Sequence, residues 1–453
     1  MTKEKARNRG GGLQFAVVGL VLLWAGSMPA VQAEDLLELW QIAVVQDSEY
    51  QAAKHRYQAD QESINQSRAQ LLPNLSLQYE SKTTDQNIKR SDNAVFASGS
   101  DKYDTTSTGL TLTQSIFDYS RWQRYSQSKI TVNKAELEFS LARQQLLLRL
   151  AESYFLVLER GDQLETVQSE KAAMFKHLEL SERKLETGLG RRVDVEDARA
   201  RYLNALSKEV ELQSRLEDSR YGLREVLGTI PRDLRALRPD IDLQPPVPDD
   251  SGEWMQKASD YNLELRALSL SLQVAQKEID ALRGEHYPTL DLVYTDGNTD
   301  TEGSVFGGGS DIDSADLMLQ LNIPIYSGGA TSSKVRQAAE KRYSVMEDIN
   351  NKRRAVERET QDAFNRISTA IVQINALEQS VKAQERLLQS KSSGYRSGRN
   401  NILEVLDAQQ DLSQARQALT KARYDYVLNI LRLKFAAGDL QEQDLAAVNG
   451  WLQ

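Results

Sequence analysis

The chain has 453 residues, 27% charged and 40% apolar, with 56 Lys and Arg against 65 Asp and Glu and a formal charge of −9. This length is enough for a sizeable core, and the negative balance argues against a protein that grips nucleic-acid phosphates, which needs a basic surface. A mean hydropathy of −0.54 excludes a bundle of transmembrane helices, and the lack of cysteine removes disulfides, thiolate metal sites, Cys nucleophiles and a lipid anchor on an N-terminal Cys.

At the start, Lys3, Lys5, Arg7 and Arg9 precede an apolar run from Leu13 to Ala25, and Val31 and Ala33 stand at −3 and −1 of a cleavage point before Glu34. Residues 1–33 read as a secretory signal peptide. The run is too short for a membrane anchor, which needs about 20 apolar residues. The exported part therefore begins near Glu34.

Further on, Leu75, Leu77 and Tyr79 alternate with polar residues, as do Leu110, Leu112 and Ile116. Between these runs, Lys82 to Ser107 is polar and is expected to be an exposed loop. From about Tyr119 to Thr187 there is no proline and one glycine, Gly161, and a helix of that length runs roughly 100 Å. Ile130, Leu137, Leu141, Leu148, Ala151, Phe155 and Leu158 follow a heptad spacing along it.

The same order of elements then recurs. Leu72-Pro73-Asn74-Leu75-Ser76-Leu77 aligns with Tyr287-Pro288-Thr289-Leu290-Asp291-Leu292 at an offset of 215, and Val193, Asp194, Val195, Asp197 and Ala198 align with Leu403, Glu404, Val405, Asp407 and Ala408 at an offset of 210. The chain is a tandem duplication. We divide it into a signal (1–33), a first repeat (34–229), a proline-rich linker (230–252), a second repeat (253–440) and a short tail (441–453). Five of the nine prolines fall in the linker, which cannot be a regular helix.

In the second repeat, Leu290, Leu292 and Tyr294 alternate with polar residues, as do Leu317, Leu319, Leu321 and Ile323, around a polar stretch from Asp296 to Asp313 that is expected to be a loop. A long helix is expected from about Ala330 to Ser393. After it Val405, Leu412, Leu419, Tyr426 and Leu433 recur every seven residues, with Ala408, Ala415, Ala422, Asn429 and Ala436 between them. Alanine alternating with larger residues lets helix axes approach closely.

The alternating runs have the length of tilted membrane strands with one apolar face, although a soluble half-buried hairpin would show the same pattern. Four strands cannot close a membrane barrel, since the smallest need about eight. If they span a membrane, several chains must pool them. Two chains reach the minimum and three give a lumen wide enough to conduct, and the pattern does not choose between the two.

The duplication, the signal, the linker, and the segments Glu186-Thr187-Gly188-Leu189-Gly190 with Val193 to Ala198, Gly394-Tyr395-Arg396-Ser397-Gly398 with Ile402 to Ala408, and Asn322-Ile323-Pro324-Ile325-Tyr326-Ser327-Gly328-Gly329 together closely resemble the TolC family of outer-membrane ducts. The resemblance covers essentially the whole exported chain. It implies a mainly α protein with transmembrane β-structure: long coiled-coil helices form a periplasmic α-barrel, and four strands per chain contribute to a twelve-stranded barrel of a homotrimer. The implied location is the outer membrane of a Gram-negative bacterium, in contact with its lipid. The implied partners are a periplasmic adaptor (membrane fusion) protein and an inner-membrane ABC or proton-driven transporter, with type I protein secretion or efflux of small toxic compounds as the work. No cofactor is implied.

The resemblance also implies a gate at the periplasmic tips. Tyr395 matches the family's tyrosine that bonds across to an aspartate, and Asp194 holds that aspartate's place. Where the family has a gating arginine this chain has Asn400, with Arg399 beside it. Glu404 and Asp407 fall on the two positions of an acidic ring at the entrance. Three residues apart, they share a helix face, and symmetry would gather their carboxylates into a cation-attracting ring. The local alternative is that acids in a first helical turn complement the helix dipole, worth about 0.3 to 1 kcal/mol each; Asp194 and Asp197 fit it equally well.

Enzymatic readings find little support. His55, His177 and His286 lack the partner spacing of a zinc helix and are expected to be exposed. Gly307-Gly308-Gly309 has no following Lys-Ser/Thr, so it is not a phosphate loop, and no serine sits in a nucleophile elbow. The chain is expected to be no enzyme but a passive duct. The competing class is a soluble periplasmic coiled-coil adaptor or scaffold, which leaves the two inserted strand pairs unexplained.

Overall fold

The computed structural model describes residues 34–90, 92, 99–304 and 308–453. The signal segment lies outside the described residues. The first repeat contains α1 (Leu36–Gln46), α2 (Ser48–Ala69), β1 (Asn74–Ile88), β2 (Gly99–Phe117), α3 (Tyr119–Glu186) and α4 (Arg192–Leu227). The second contains α5 (Ser251–Tyr261), α6 (Leu263–Gly284), β3 (Thr289–Thr301), β4 (Ser310–Asn322), α7 (Ala330–Arg396) and α8 (Ile402–Ala436), and α9 (Glu442–Asn449) follows.

α3 and α7 have 68 and 67 residues, about 100 Å each. Interior proline is absent from both, and each begins directly below the sheet. α3 packs along α2, α4, α6 and α8, and α7 along α6 and α8. Of the ten heptad positions named above on α8, eight are buried; Ala415 and Leu419 are the exceptions. On α3 the buried seam is wider than the heptad reading: Leu147, Leu150, Tyr154 and Val157 are buried beside Ala151 and Phe155, while Leu148 and Leu158 are only half-buried. A helix packed on several neighbours buries more than a two-position stripe.

The largest core lies at the waist of the molecule, where Trp40, Tyr154, Phe155, Leu223, Ile367 and Tyr426 are fully buried, each worth about 1.5 to 3 kcal/mol of burial. The segment between α4 and α5 is non-helical but packs on this core. Tyr154 donates to the Arg235 carbonyl at 2.8 Å, and the Tyr426 hydroxyl takes both backbone groups of Gln244 at 2.9 Å. The segment is thus a docked belt, joined by backbone bridges from Leu234 to Glu34 and from Leu237 to Leu452.

The four strands form one antiparallel sheet in the order β1-β2-β3-β4, so strands of both repeats pair directly at β2 and β3. Its register sorts side chains by row. Leu75, Leu112, Tyr294 and Leu317 lie opposite one another across all four strands, and the adjoining row is Ser76, Thr111, Thr295 and Asp316. Period-two alternation sends these rows to opposite faces. The leucine-bearing face is left open by the other described residues: Leu75, Leu77, Leu317 and Leu319 are 63%, 72%, 72% and 64% exposed.

The strands run 13 to 19 residues and extend well into the stretches expected to be loops. Lys82, Thr105, Thr301 and Ser310 still form a paired row. Hydrophobic alternation marks only the part of a strand with an apolar face, whereas the backbone ladder continues wherever residues such as Thr105, Thr106 and Thr108 favour extended structure. Gly307 lies outside the described residues. His55 and His286 are exposed, but His177 is half-buried on α3 with Nδ1 unpaired, and that burial lowers its pKa. Among the described residues no group of acids and histidines is placed to hold a metal.

Candidate functional site: the helical tips

The ends of α3 and α7 farthest from the sheet carry two related turns. After α3, the N–H groups of Leu189 and Gly190 both reach the Lys184 carbonyl, at 2.9 and 2.8 Å, through Gly188 at φ 75°. After α7, Arg399 and Asn400 reach the Gly394 carbonyl at 2.8 and 3.2 Å through Gly398 at φ 75°. Left-handed glycine lets each chain turn back while satisfying the last helical carbonyls. A second glycine is needed in the first turn, where a Cβ on Gly190 would lie 2.8 Å from the Leu185 nitrogen, whereas one on Gly394 would meet only the Asn400 side chain, with Cγ at 2.7 Å, which can turn aside.

Asp194, Tyr395, Arg399 and Asn400 all line one cleft of about 510 Å³ between the turns. Within the chain each bonds to a different group. The Tyr395 hydroxyl accepts from Lys184 Nζ at 2.9 Å, and that ammonium lies 4.1 Å from the ring centroid. Asp194 accepts from Arg191 at 2.8 and 3.2 Å. Arg399 Nε donates to Ser397 Oγ at 3.1 Å. Asn400 Nδ2 donates to Glu404 at 2.9 Å.

Glu404 closes a capping box with Asn401 at the start of α8, so the local role open to an acid at this position is realised. Lys391 also pairs with it across the α7–α8 turn. The bonds from Lys391, then Asn400 and the Asn401 N–H, hold its carboxyl below the usual range. Asp407 takes Arg201 Nη2 at 2.8 Å, while Arg201 Nε reaches Asp197 at 3.1 Å. Arg201 thereby ties α4 of the first repeat to α8 of the second. Sequence reasoning missed Lys184, Arg191, Arg201 and Lys391. Arg191 was discoverable from its place one helical turn before Asp194. The others stand where the repeats differ: 210 residues on or back, Lys184 meets Gly394, Arg201 meets Asp411 and Lys391 meets Ser181.

A four-stranded antiparallel sheet whose edges are unpaired among the described residues, set on a long helical column, is the architecture of outer-membrane channels with a helical extension. The chain belongs to the outer membrane efflux protein family, whose profile matches residues 39–229 and 254–439. It is 32% identical to "Outer membrane protein TolC" of Escherichia coli K12 over 96% of this chain and 88% of that one. It is 29% identical to "Proteases secretion protein PrtF" of Dickeya chrysanthemi, covering 94% of this chain and 92% of that one. Among solved structures, the Campylobacter jejuni CmeC outer membrane channel superposes with a TM-score of 0.79 at 14% identity, covering 93% and 90% of the two chains. The protein is an outer-membrane channel of the TolC type with a periplasmic helical extension, and the soluble-adaptor alternative is not favoured.

Proposed function

We propose that three copies pool their strands into a closed twelve-stranded barrel that works as a passive duct, without catalysis, docked to a periplasmic adaptor and an inner-membrane ABC or proton-driven transporter. The observation that carries this is the sheet: among the described residues β1 and β4 have no outer partner, and such edges cannot remain open in lipid. The leucine row would face lipid and the Ser76 row the water-filled lumen. Relatives named for protease secretion favour protein cargo, and those named for efflux extend it to small toxic compounds. Residues 1–33 serve as the export signal on this reading, and residues 230–252 link two efflux repeats.

The test is fractionation with conductance. The expected result is an outer-membrane protein that needs detergent, runs as an SDS-resistant oligomer, dissociates on boiling and opens pores in planar bilayers. A freely soluble periplasmic monomer would overturn the duct.

The tip cleft is the gate in this proposal, with Asp194, Tyr395, Arg399 and Asn400 as latch residues and Glu404 and Asp407 as entrance carboxylates. Removing the polar groups of Tyr395 and Asp194 releases their bonds to Lys184 and Arg191 while leaving the turn glycines intact. Tyr395→Phe combined with Asp194→Ala is therefore expected to raise single-channel conductance. Unchanged conductance would reject the latch.

A further inference from the structure

The bases that sequence reasoning missed bear on what the entrance admits. Each of the two entrance carboxylates of a chain is met by a cation: Lys391 on Glu404, and Arg201, which it shares with Asp197, on Asp407. Both bases come from outside α8, Lys391 from α7 and Arg201 from α4. Neither is duplicated in the other repeat. The Glu404 side chain is 42% exposed and the Asp407 side chain 61%, so both carboxylates face water.

We infer that Lys391 and Arg201 set the ion selectivity of this duct by neutralising its entrance carboxylates, so that the entrance is a ring of ion pairs instead of a ring of bare acids. The inference rests on the duct reading and deepens it.

The physical argument is one of range. A bare carboxylate ring in a narrow mouth adds its charges and focuses field on a passing ion. When each carboxylate is paired with a cation, the far field falls to that of a dipole, and at physiological salt it is screened within about 8 Å. Arg201 is also shared with Asp197 at 3.1 Å, so its charge does not leave the mouth strongly positive. An entrance of this kind holds multivalent cations, and repels acidic cargo, less strongly than a ring of bare acids would.

The test uses the purified full-length oligomer in planar bilayers under a KCl gradient, with spermidine as the blocking probe. Lys391→Met and Arg201→Met are each expected to raise the cation-to-anion permeability ratio severalfold, and to lower the spermidine concentration for half block about tenfold. Lys391→Met with Glu404→Gln is expected to return both quantities to the wild-type values, because base and acid then leave together. Unshifted selectivity in both single variants overturns the inference, and so does a Lys391→Met shift that survives removal of Glu404. The two bases stand on different helices, so a folding defect in one variant leaves the other to decide. A wild-type protein that conducts no ions at all would overturn the duct reading instead.

Discussion

Gly438→Ala is expected to abolish the folded oligomer, while Gly228→Ala, the same position in the first repeat, leaves it intact with a modest loss of stability. Both glycines follow a terminal helix in the left-handed region, at φ 70° and 73°, where a side chain costs roughly 1 to 2 kcal/mol. Their surroundings differ. A Cβ on Gly228 meets only the Gln46 side chain, at 3.6 Å, whereas one on Gly438 runs into the Tyr261 backbone, with its carbonyl carbon at 2.7 Å. Backbone cannot rotate aside as a glutamine can. The Tyr261 region is also fixed by Asn262, whose side chain donates to the Ala436 carbonyl at 2.9 Å and caps α6. Heat dissociation of the purified oligomer and thermal unfolding in detergent check the pair. Equal effects of the two substitutions would mean that this close approach is not maintained in the assembled protein.

The second large effect is expected on the sheet. Leu112→Arg puts a charge in the middle of the apolar row, on a strand flanked on both sides, where an arginine at the bilayer midplane costs roughly 2 to 4 kcal/mol in each copy. Thr111→Arg, one residue away, points to the polar face and is expected to assemble with altered conductance. The fraction recovered as heat-dissociable oligomer in outer membranes is the readout. Normal assembly of Leu112→Arg would reverse the assignment of the two faces.

The long helices and the repeat were legible because they rest on local rules. Proline-free stretches with heptad spacing specify helices wherever they sit, and Gly188, Gly398, Gly228 and Gly438 mark their ends. Strand ends were misjudged because polarity was taken for irregularity: Thr105 to Thr108 are polar yet well suited to a strand. At the tips, the carboxylates and Tyr395 could be placed from the repeat and from the resemblance. Two of their basic partners could not, because Lys184 meets Tyr395, and Arg201 meets Asp407, from more than 200 residues away. Such contacts are set by how one repeat lies against the other. His177 was misjudged for the same reason, since only the neighbouring helices bury it.

The belt around the waist has a consequence for the order of assembly. Leu36 N–H donates to the Asn449 side chain at 3.0 Å, Asn449 Nδ2 donates to Asp35 at 3.2 Å, Arg235 pairs with Asp35, and Gln453 N–H donates to the Ala236 carbonyl at 2.9 Å. Residues 35–36, 235–236 and 449–453 are thus tied together at one level by hydrogen bonds and an ion pair. Trp40, Tyr154 and Phe155 share one core with residues of α8 and α9, so the first repeat by itself has only part of the core around these rings. Contacts spanning over 400 residues form late and slowly. A chain emerging into the periplasm therefore gains this closure only after residues 449–453 have crossed.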